Sequence, residues 1–144
     1  MRYLLDTNVC VDYLNGRYPA VVARVQSSAP DDLCLSSVVV GELRYGADRS
    51  SRPKTNHSRI DSLVAEIECL DFDLRAATLY GRVRSGLEKV GRPIGPNDML
   101  IAAHALSRRL VLVTDNVDEF RRVKGLKVEN WRHQRSRAAR TEQS

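Results

Sequence analysis

Four carboxylates stand where a hard cation could be held. Asp6 follows the short apolar run Tyr3-Leu4-Leu5, and Asp115 follows Leu110–Val113, the most continuously apolar run in the chain. Each run reads as a buried strand, so each acid falls at a strand's carboxyl end. Open α/β sheets bind ligands outside that edge, where strand order reverses. If the two strands are neighbours, both carboxylates project into one cleft. Glu42 lies beside the apolar positions Val38, Val39 and Tyr45 of a helix bordering that edge. Asp98 is followed at i+3, i+4 and i+7 by Ile101, Ala102 and Ala105, so it opens a largely buried helical face. A carboxylate there must be paired, hydrogen-bonded or metal-bound, because bare burial costs several kcal/mol.

Oxygen donors without His or Cys suit Mg2+ or Mn2+. Such ions grip phosphates, and a pair about 3.5 to 4 Å apart stabilises both the attacking and leaving oxygens of phosphodiester cleavage. The chemistry expected is hydrolysis by metal-activated water, with no covalent protein intermediate. Taken singly, each acid has a plainer reading. Asp6 and Asp115 fit turn or cap positions, Glu42 a partly exposed helix surface, and Asp98 the positive end of a helix dipole. Convergence on one sheet edge is what favours the cleft.

The elements that must position these acids alternate strand and helix. Val9–Leu14 reads as a short helix ended by Asn15-Gly16, and Tyr18–Gln26 as an amphipathic one carrying Val21, Val22 and Val25. Leu33–Ser36 is a strand, after which Ser36 or Ser37 caps a helix with Val40, Leu43 and Ala47. The spacing predicts a helix over Arg59–Glu68, a short strand at Cys69-Leu70, and a long helix capped by Asp73 and stopped at Gly91. Gly95-Pro96-Asn97 opens a helix to about Arg108, a short helix surrounds Glu119-Phe120, and Leu126–Val128 makes an edge strand. Such alternation argues for a doubly wound α/β fold with a parallel sheet covered on both faces.

A chain of 144 residues, 42% hydrophobic and 28% charged, suits one domain with a proper core. No apolar run reaches the roughly 18 to 20 residues that span a bilayer, and the acidic Asp6 comes too early for a signal peptide. A cytoplasmic location is expected. Cys10, Cys34 and Cys69 are odd in number and lack CxxC spacing, so they read as small buried hydrophobes. Of the +5 formal charge, +3 comes from Arg132, Arg135, Arg137, Arg140 and Glu142 at the C-terminus. The chain therefore reads as a domain over 1–131 and a basic, disordered tail over 132–144.

Four motifs now stand in order: Leu5-Asp6-Thr7-Asn8; Ser36-Ser37-Val38-Val39-Val40-Gly41-Glu42-Leu43-Arg44-Tyr45-Gly46; Ile94-Gly95-Pro96-Asn97-Asp98; and Val113-Thr114-Asp115-Asn116 with Phe120. Together they resemble the PIN domain of the VapC group, the ribonuclease toxins of prokaryotic toxin–antitoxin pairs, from Arg2 to about Trp131. The resemblance implies a three-layer α/β/α sandwich with a central, mainly parallel sheet of about five strands. It implies a Mg2+- or Mn2+-dependent endoribonuclease acting on tRNA or ribosomal RNA and leaving a 5′-phosphate and a 3′-hydroxyl. The metal-site acids it implies are Asp6, Glu42, Asp98 and an acid after the fourth strand. There Asn116 takes the usual acid position, and Asp115 is assigned, with Asp118 two residues beyond Asn116 as the other candidate. Asn116 becomes a water-mediated ligand, and Thr7, Asn8, Ser37 and Thr114 supporting hydrogen-bond partners. The family's habits further imply a homodimer and a VapB-type antitoxin that blocks the acidic cleft and brings DNA only indirectly.

Phosphate contacts are expected from Arg44, Arg82, Arg84 and Arg92, with Arg49, Arg52, Lys54 and Lys89 also available. Each also fits an ordinary solvated helix face. His104, on the helix of Asp98, reads as packed; His57 and His133 are isolated. Trp131, Tyr45 and Tyr80 could stack on bases or belong to the core. Three rival functions compete. A haloacid-dehalogenase-like phosphotransferase would want an acid where Asn8 stands. A non-enzymatic nucleic-acid module leaves the buried Asp98 without a role. An inactive scaffold is disfavoured by intact Asp6, Glu42 and Asp98.

Overall fold

Five apolar runs pair into one parallel sheet in the order β3-β2-β1-β4-β5. The computed structural model describes residues 1–133. The strands are β1 (Tyr3–Leu5), β2 (Leu33–Ser36), β3 (Glu68–Leu70), β4 (Val111–Val113) and β5 (Val128–Glu129). The central three are buried along almost their whole length, as sheets covered on both faces require. Leu4 pairs with Cys34 on one side and Leu112 on the other, and Leu5 with Val113.

Seven α-helices connect the strands among the described residues: α1 (Thr7–Leu14), α2 (Pro19–Ser27), α3 (Ser37–Arg49), α4 (Pro53–Glu66), α5 (Leu74–Lys89), α6 (Pro96–Ser107) and α7 (Val117–Phe120). Right-handed crossovers, the near-universal hand for parallel connections, put α1–α4 on one face and α5–α7 on the other. The packing agrees: α1 lies against α2 and α3, α3 against α4, and α5 against α6. The α/β/α layering and the five-stranded parallel sheet expected from the sequence are both present. Strand order reverses between β1 and β4, so the crevice opens where Asp6 and Asp115 leave the sheet.

α6 is the most deeply embedded helix. Ile101, Ala102, Ala103, His104 and Ala105 are fully buried, and Met99 and Ser107 nearly so. Its small residues let it press against both α5 and the sheet, and this close approach holds Asp98 at the carboxyl edge.

Several boundaries differ from the pattern reading. α1 begins at Thr7 rather than Val9, because Asp6 accepts from the Thr7 amide and serves as its N-cap. α4 begins at Pro53, six residues before Arg59, since its first turns are polar and carry no apolar period; proline at the first helical position starts it. It stops at Glu66, leaving Glu68 to β3. β4 starts one residue late because Arg109, at φ +55°, turns the chain out of α6. The edge strand lies at Val128–Glu129, slightly beyond Leu126–Val128. Trp131 is core, packed edge-on against Tyr3 and under Arg24. Arg132, grouped with the tail by composition, is fastened to the domain by ion pairs to Asp12 and Asp115. The remaining tail arginines, Arg135, Arg137 and Arg140, lie outside the described residues.

Candidate active site

Asp6 is the fixed point of the cleft. Its backbone amide donates to Val113 O at 2.9 Å, continuing the β1–β4 ladder by one residue. Its side chain, almost fully buried, accepts from the Thr7 amide at 2.8 Å and from Thr114 Oγ1 at 2.7 Å. Burial pushes the Asp6 carboxyl up from its ordinary range, the two hydrogen bonds pull it back, and the charges of Glu42 and Asp115 push it up further. Thr7 and Thr114 are thus both hydrogen-bonded to the acids of the crevice.

Glu42 comes in from α3. Its Oε1 accepts from Thr7 Oγ1 at 2.8 Å and its Oε2 from Asn97 Nδ2 at 3.4 Å, so α1, α3 and α6 are tied together at the edge. Asp98, in the first turn of α6, is raised to about 7. Burial is the main cause, followed by the neighbouring Glu119 carboxyl and by the charges of Asp6 and Glu42. Glu119 is the residue that pattern reasoning missed. It sits on α7, accepts from the Gly95 amide at 2.9 Å and receives Asn116 Nδ2. A Cβ at Gly95 would fall 3.4 Å from Asp98 Oδ2, so this corner is packed to van der Waals contact. The readable signal was Glu119 lying four residues past Asp115, on the short helix that follows it.

Asp115 is at the rim. Asn8 Nδ2 donates to its Oδ1 at 3.2 Å, and Arg132 Nη1 lies 3.0 Å from its Oδ2. Asn116 is exposed, its amide bonded to Thr114 Oγ1 and its side chain committed to Glu119. Asp118 is exposed as well. Ser37 does not join the acids: its hydroxyl accepts from the Phe72 amide, fastening the loop after β3 to α3. Ser36, one residue earlier, caps α3 and meets His104 Nδ1 at 2.7 Å.

The acids are close enough to raise one another's proton affinity, and among the described residues none of Asp6, Glu42, Asp98 and Glu119 has a Lys or Arg partner. Among those residues, no three such side chains are already closed around a common point as a bound ion would draw them. The donor set nonetheless fits a hard divalent cation: oxygen only, mutually repelling and without counter-charge. A cavity of about 310 Å³ adjoins the cleft, sharing Thr7 and Glu42 with it and otherwise lined largely by apolar atoms such as those of Val11, Leu14, Leu43 and Ile60.

The expected basic contacts divide. Arg44 is engaged between α3 and α4, with Asp61 at 2.6 Å and the His57 carbonyl at 3.1 Å. Arg84 pairs with Glu88 and donates to the Tyr80 hydroxyl. Arg82 and Arg92 are exposed, on and just after α5. Cys10, Cys34 and Cys69 are free thiols, the first two buried. No helix among the described residues is long and apolar enough to cross a membrane.

A parallel α/β sheet with a carboxylate-lined crevice at its switch point defines the class: a doubly wound fold that presents acids to a ligand at its carboxyl edge. The sequence matches the PIN domain family over residues 3–126. It is 43% identical over 131 residues to the tRNA(fMet)-specific endonuclease VapC of Shigella flexneri, covering 91% of this chain and 98% of that protein. It is 38% identical to Ribonuclease VapC2 of Rickettsia felis, with the same coverage of both chains. Among solved structures, DNA-bound VapBC from Salmonella typhimurium superposes with a TM-score of 0.86 at 37% identity, covering 91% of this chain and 98% of that one. The promoter-bound VapBC2 of Rickettsia felis gives 0.84 at 36%, covering 91% and 99%. The chain belongs to the PIN-domain family, and within it to the VapC ribonucleases.

Proposed function

We propose that this chain is the toxin of a VapBC-type pair, a Mg2+- or Mn2+-dependent endoribonuclease cutting tRNA. The observation that carries it is the meeting of Asp6, Glu42 and Asp98 at one sheet edge without counter-cations among the described residues. These three hold the ion in this reading, with a fourth carboxylate from the β4–α7 segment, where Asp115 and Glu119 are both within reach of the others' charge. A divalent ion bound there supplies positive charge for hydrolysis of a phosphodiester by water. Thr7 and Thr114 keep Glu42 and Asp6 aimed at the crevice, and Asn97 steadies Glu42. Arg82 and Arg92 contact RNA phosphates; Arg44 is relieved of that role by its place between two helices.

The tRNA target is supported by the name of the Shigella relative; ribosomal RNA is the alternative arm of the test. A VapB-type antitoxin is supported by the solved VapBC complexes, and the apolar cavity sharing Thr7 and Glu42 gives such a partner a surface continuous with the acids. A cytoplasmic homodimer that meets DNA only indirectly, through the antitoxin, completes the reading. The decisive measurement is cleavage of purified tRNA and rRNA with Mg2+ or Mn2+, with EDTA and Asp6→Asn as controls. Cleavage that survives EDTA would overturn the metal reading. Asp98→Asn is expected to lose at least about 100-fold in cleavage while melting no lower than the parent, because it removes a charge that its neighbours repel. A collapse of the fold instead would make Asp98 structural.

A further inference from the structure

The proposed metal site contains five acids, and one of them differs from the rest. Asp115 alone carries a counter-cation among the described residues: Arg132 Nη1 at 3.0 Å from Oδ2. Its other oxygen accepts from Asn8. The same guanidinium grips Asp12 side-on, Nε to Oδ2 at 2.8 Å and Nη2 to Oδ1 at 3.3 Å. Asp12 lies on the buried side of α1, its side chain 4% exposed, and Arg132 is its charge partner. The Arg132 Cζ lies 4.4 Å from the centre of the Tyr18 ring, and Tyr18 holds a left-handed backbone at φ +53°. Three independent elements therefore fix one guanidinium: α1, the turn into α2, and the end of β4. A bidentate, ring-stacked arginine beside a buried acid is a rigid charge rather than a mobile surface one.

We propose that Arg132 is a positioning residue of the nuclease site, a protein-borne cation that neutralises Asp115 so that the remaining acids take up a single divalent ion. Two-ion phosphodiesterase sites need enough carboxylate charge to hold a second ion 3.5–4 Å from the first. Here Asp115, the one carboxylate of the five with a cationic partner among the described residues, is matched by a guanidinium that cannot leave without stranding Asp12. Asp115 then acts through its hydrogen bond to Asn8, steadying the first turn of α1 next to Asp6. The fourth ligand falls to Glu119. This inference rests on the metal-dependent reading above.

Its test is Mn2+ binding to the full chain, followed by titration calorimetry and by the paramagnetic resonance signal of the free ion. The parent is expected to bind one Mn2+, and Asp115→Asn to bind one with an affinity within about threefold of it. Glu119→Gln is expected to weaken binding at least tenfold. Arg132→Gln strands the Asp12 charge, so it is made together with Asp12→Asn, which leaves two neutral amides in contact. That pair is expected to take up a second Mn2+, and adding Asp115→Asn to remove it again. Two ions in the parent, a tenfold loss in Asp115→Asn, or a single ion in the Asp12→Asn/Arg132→Gln pair would each overturn the role of Arg132 alone. No uptake by the parent would overturn the metal reading itself, and this inference with it.

Discussion

At the residue scale the cleft depends on hydroxyls that hold buried charge. Thr114 is fully buried and its Oγ1 both donates to Asp6 and accepts the Asn116 amide. Thr114→Val keeps the shape and removes the donor, leaving Asp6 with one fewer partner for its charged form. The expected cost is about 1–3 kcal/mol of stability at neutral pH, measured by urea unfolding. With that hydrogen bond gone, the Asp6 carboxyl is pushed further up, since the bond from Thr114 is what lowers it most. Mn2+ affinity should therefore fall by about tenfold. A variant that unfolds as the parent does and binds Mn2+ as tightly would show that the hydroxyl is incidental. The short distance between Thr7 Oγ1 and Glu42 makes the same argument for the neighbouring acid, with less burial to amplify it.

At the scale of elements, the β2–α3 junction joins the two faces of the sheet. Ser36 Oγ caps α3 by accepting from Val38 N at 3.1 Å and meets His104 Nδ1 of α6 at 2.7 Å. Ser36→Ala removes a cap and a buried imidazole's partner together, and His104 Nε2 already lacks one among the described residues. The expected loss is about 2 kcal/mol; a loss under about 0.5 kcal/mol would mean that water or a rotated ring replaces the serine. This junction also shows what sequence makes legible. A serine before an apolar helical period reads as a cap, and the acids at strand ends read as a cleft, because both are encoded by neighbours in the chain. Asp98 was readable for the same reason, three apolar positions on one helical face. What was not legible depends on contacts between distant residues. The coupling of Asp98 to Glu119, the clamp of Arg132 on Asp12 and Asp115, and the use of Ser37 by Phe72 span 17 to 120 positions and leave no periodic trace. Composition even pointed the wrong way for Arg132, since a lone arginine after Trp131 looks like the start of a basic tail. The start of α4 is illegible for the same reason: its first turns are solvated, and Pro53 is the one mark of it.

At the scale of the whole molecule, a chain of net charge +5 concentrates mutually repelling acids at one end of its sheet. Holding them together costs stability until a proton or a cation arrives, and this fixes the sign of the pH dependence. Asp98 is raised from 3.8 to about 7, so the folded chain binds a proton that the unfolded chain releases. Its contribution is full below pH 4 and is lost as pH rises through about 7; Asp6 acts in the same direction. His104 acts oppositely. Burial holds it below its ordinary 6.5, so its contribution is full above pH 6.5 and fades as pH falls through its lowered value. In EDTA, raising the pH from 6.5 to 8 should therefore lower the melting temperature. Mn2+ should reverse that loss, by about 2.7 kcal/mol at a concentration of 100 Kd. Because the ion competes with the proton on Asp98, a fixed Mn2+ concentration should stabilise the protein more at pH 8 than at pH 6. Differential scanning fluorimetry at the two pH values, on the parent and on Asp98→Asn, separates the causes: the asparagine variant should lose both the pH slope between 6.5 and 8 and most of the Mn2+ effect. Equal Mn2+ stabilisation at both pH values would mean that the ion binds away from Asp98, and a slope that persists in the variant would assign the lost stability to another group.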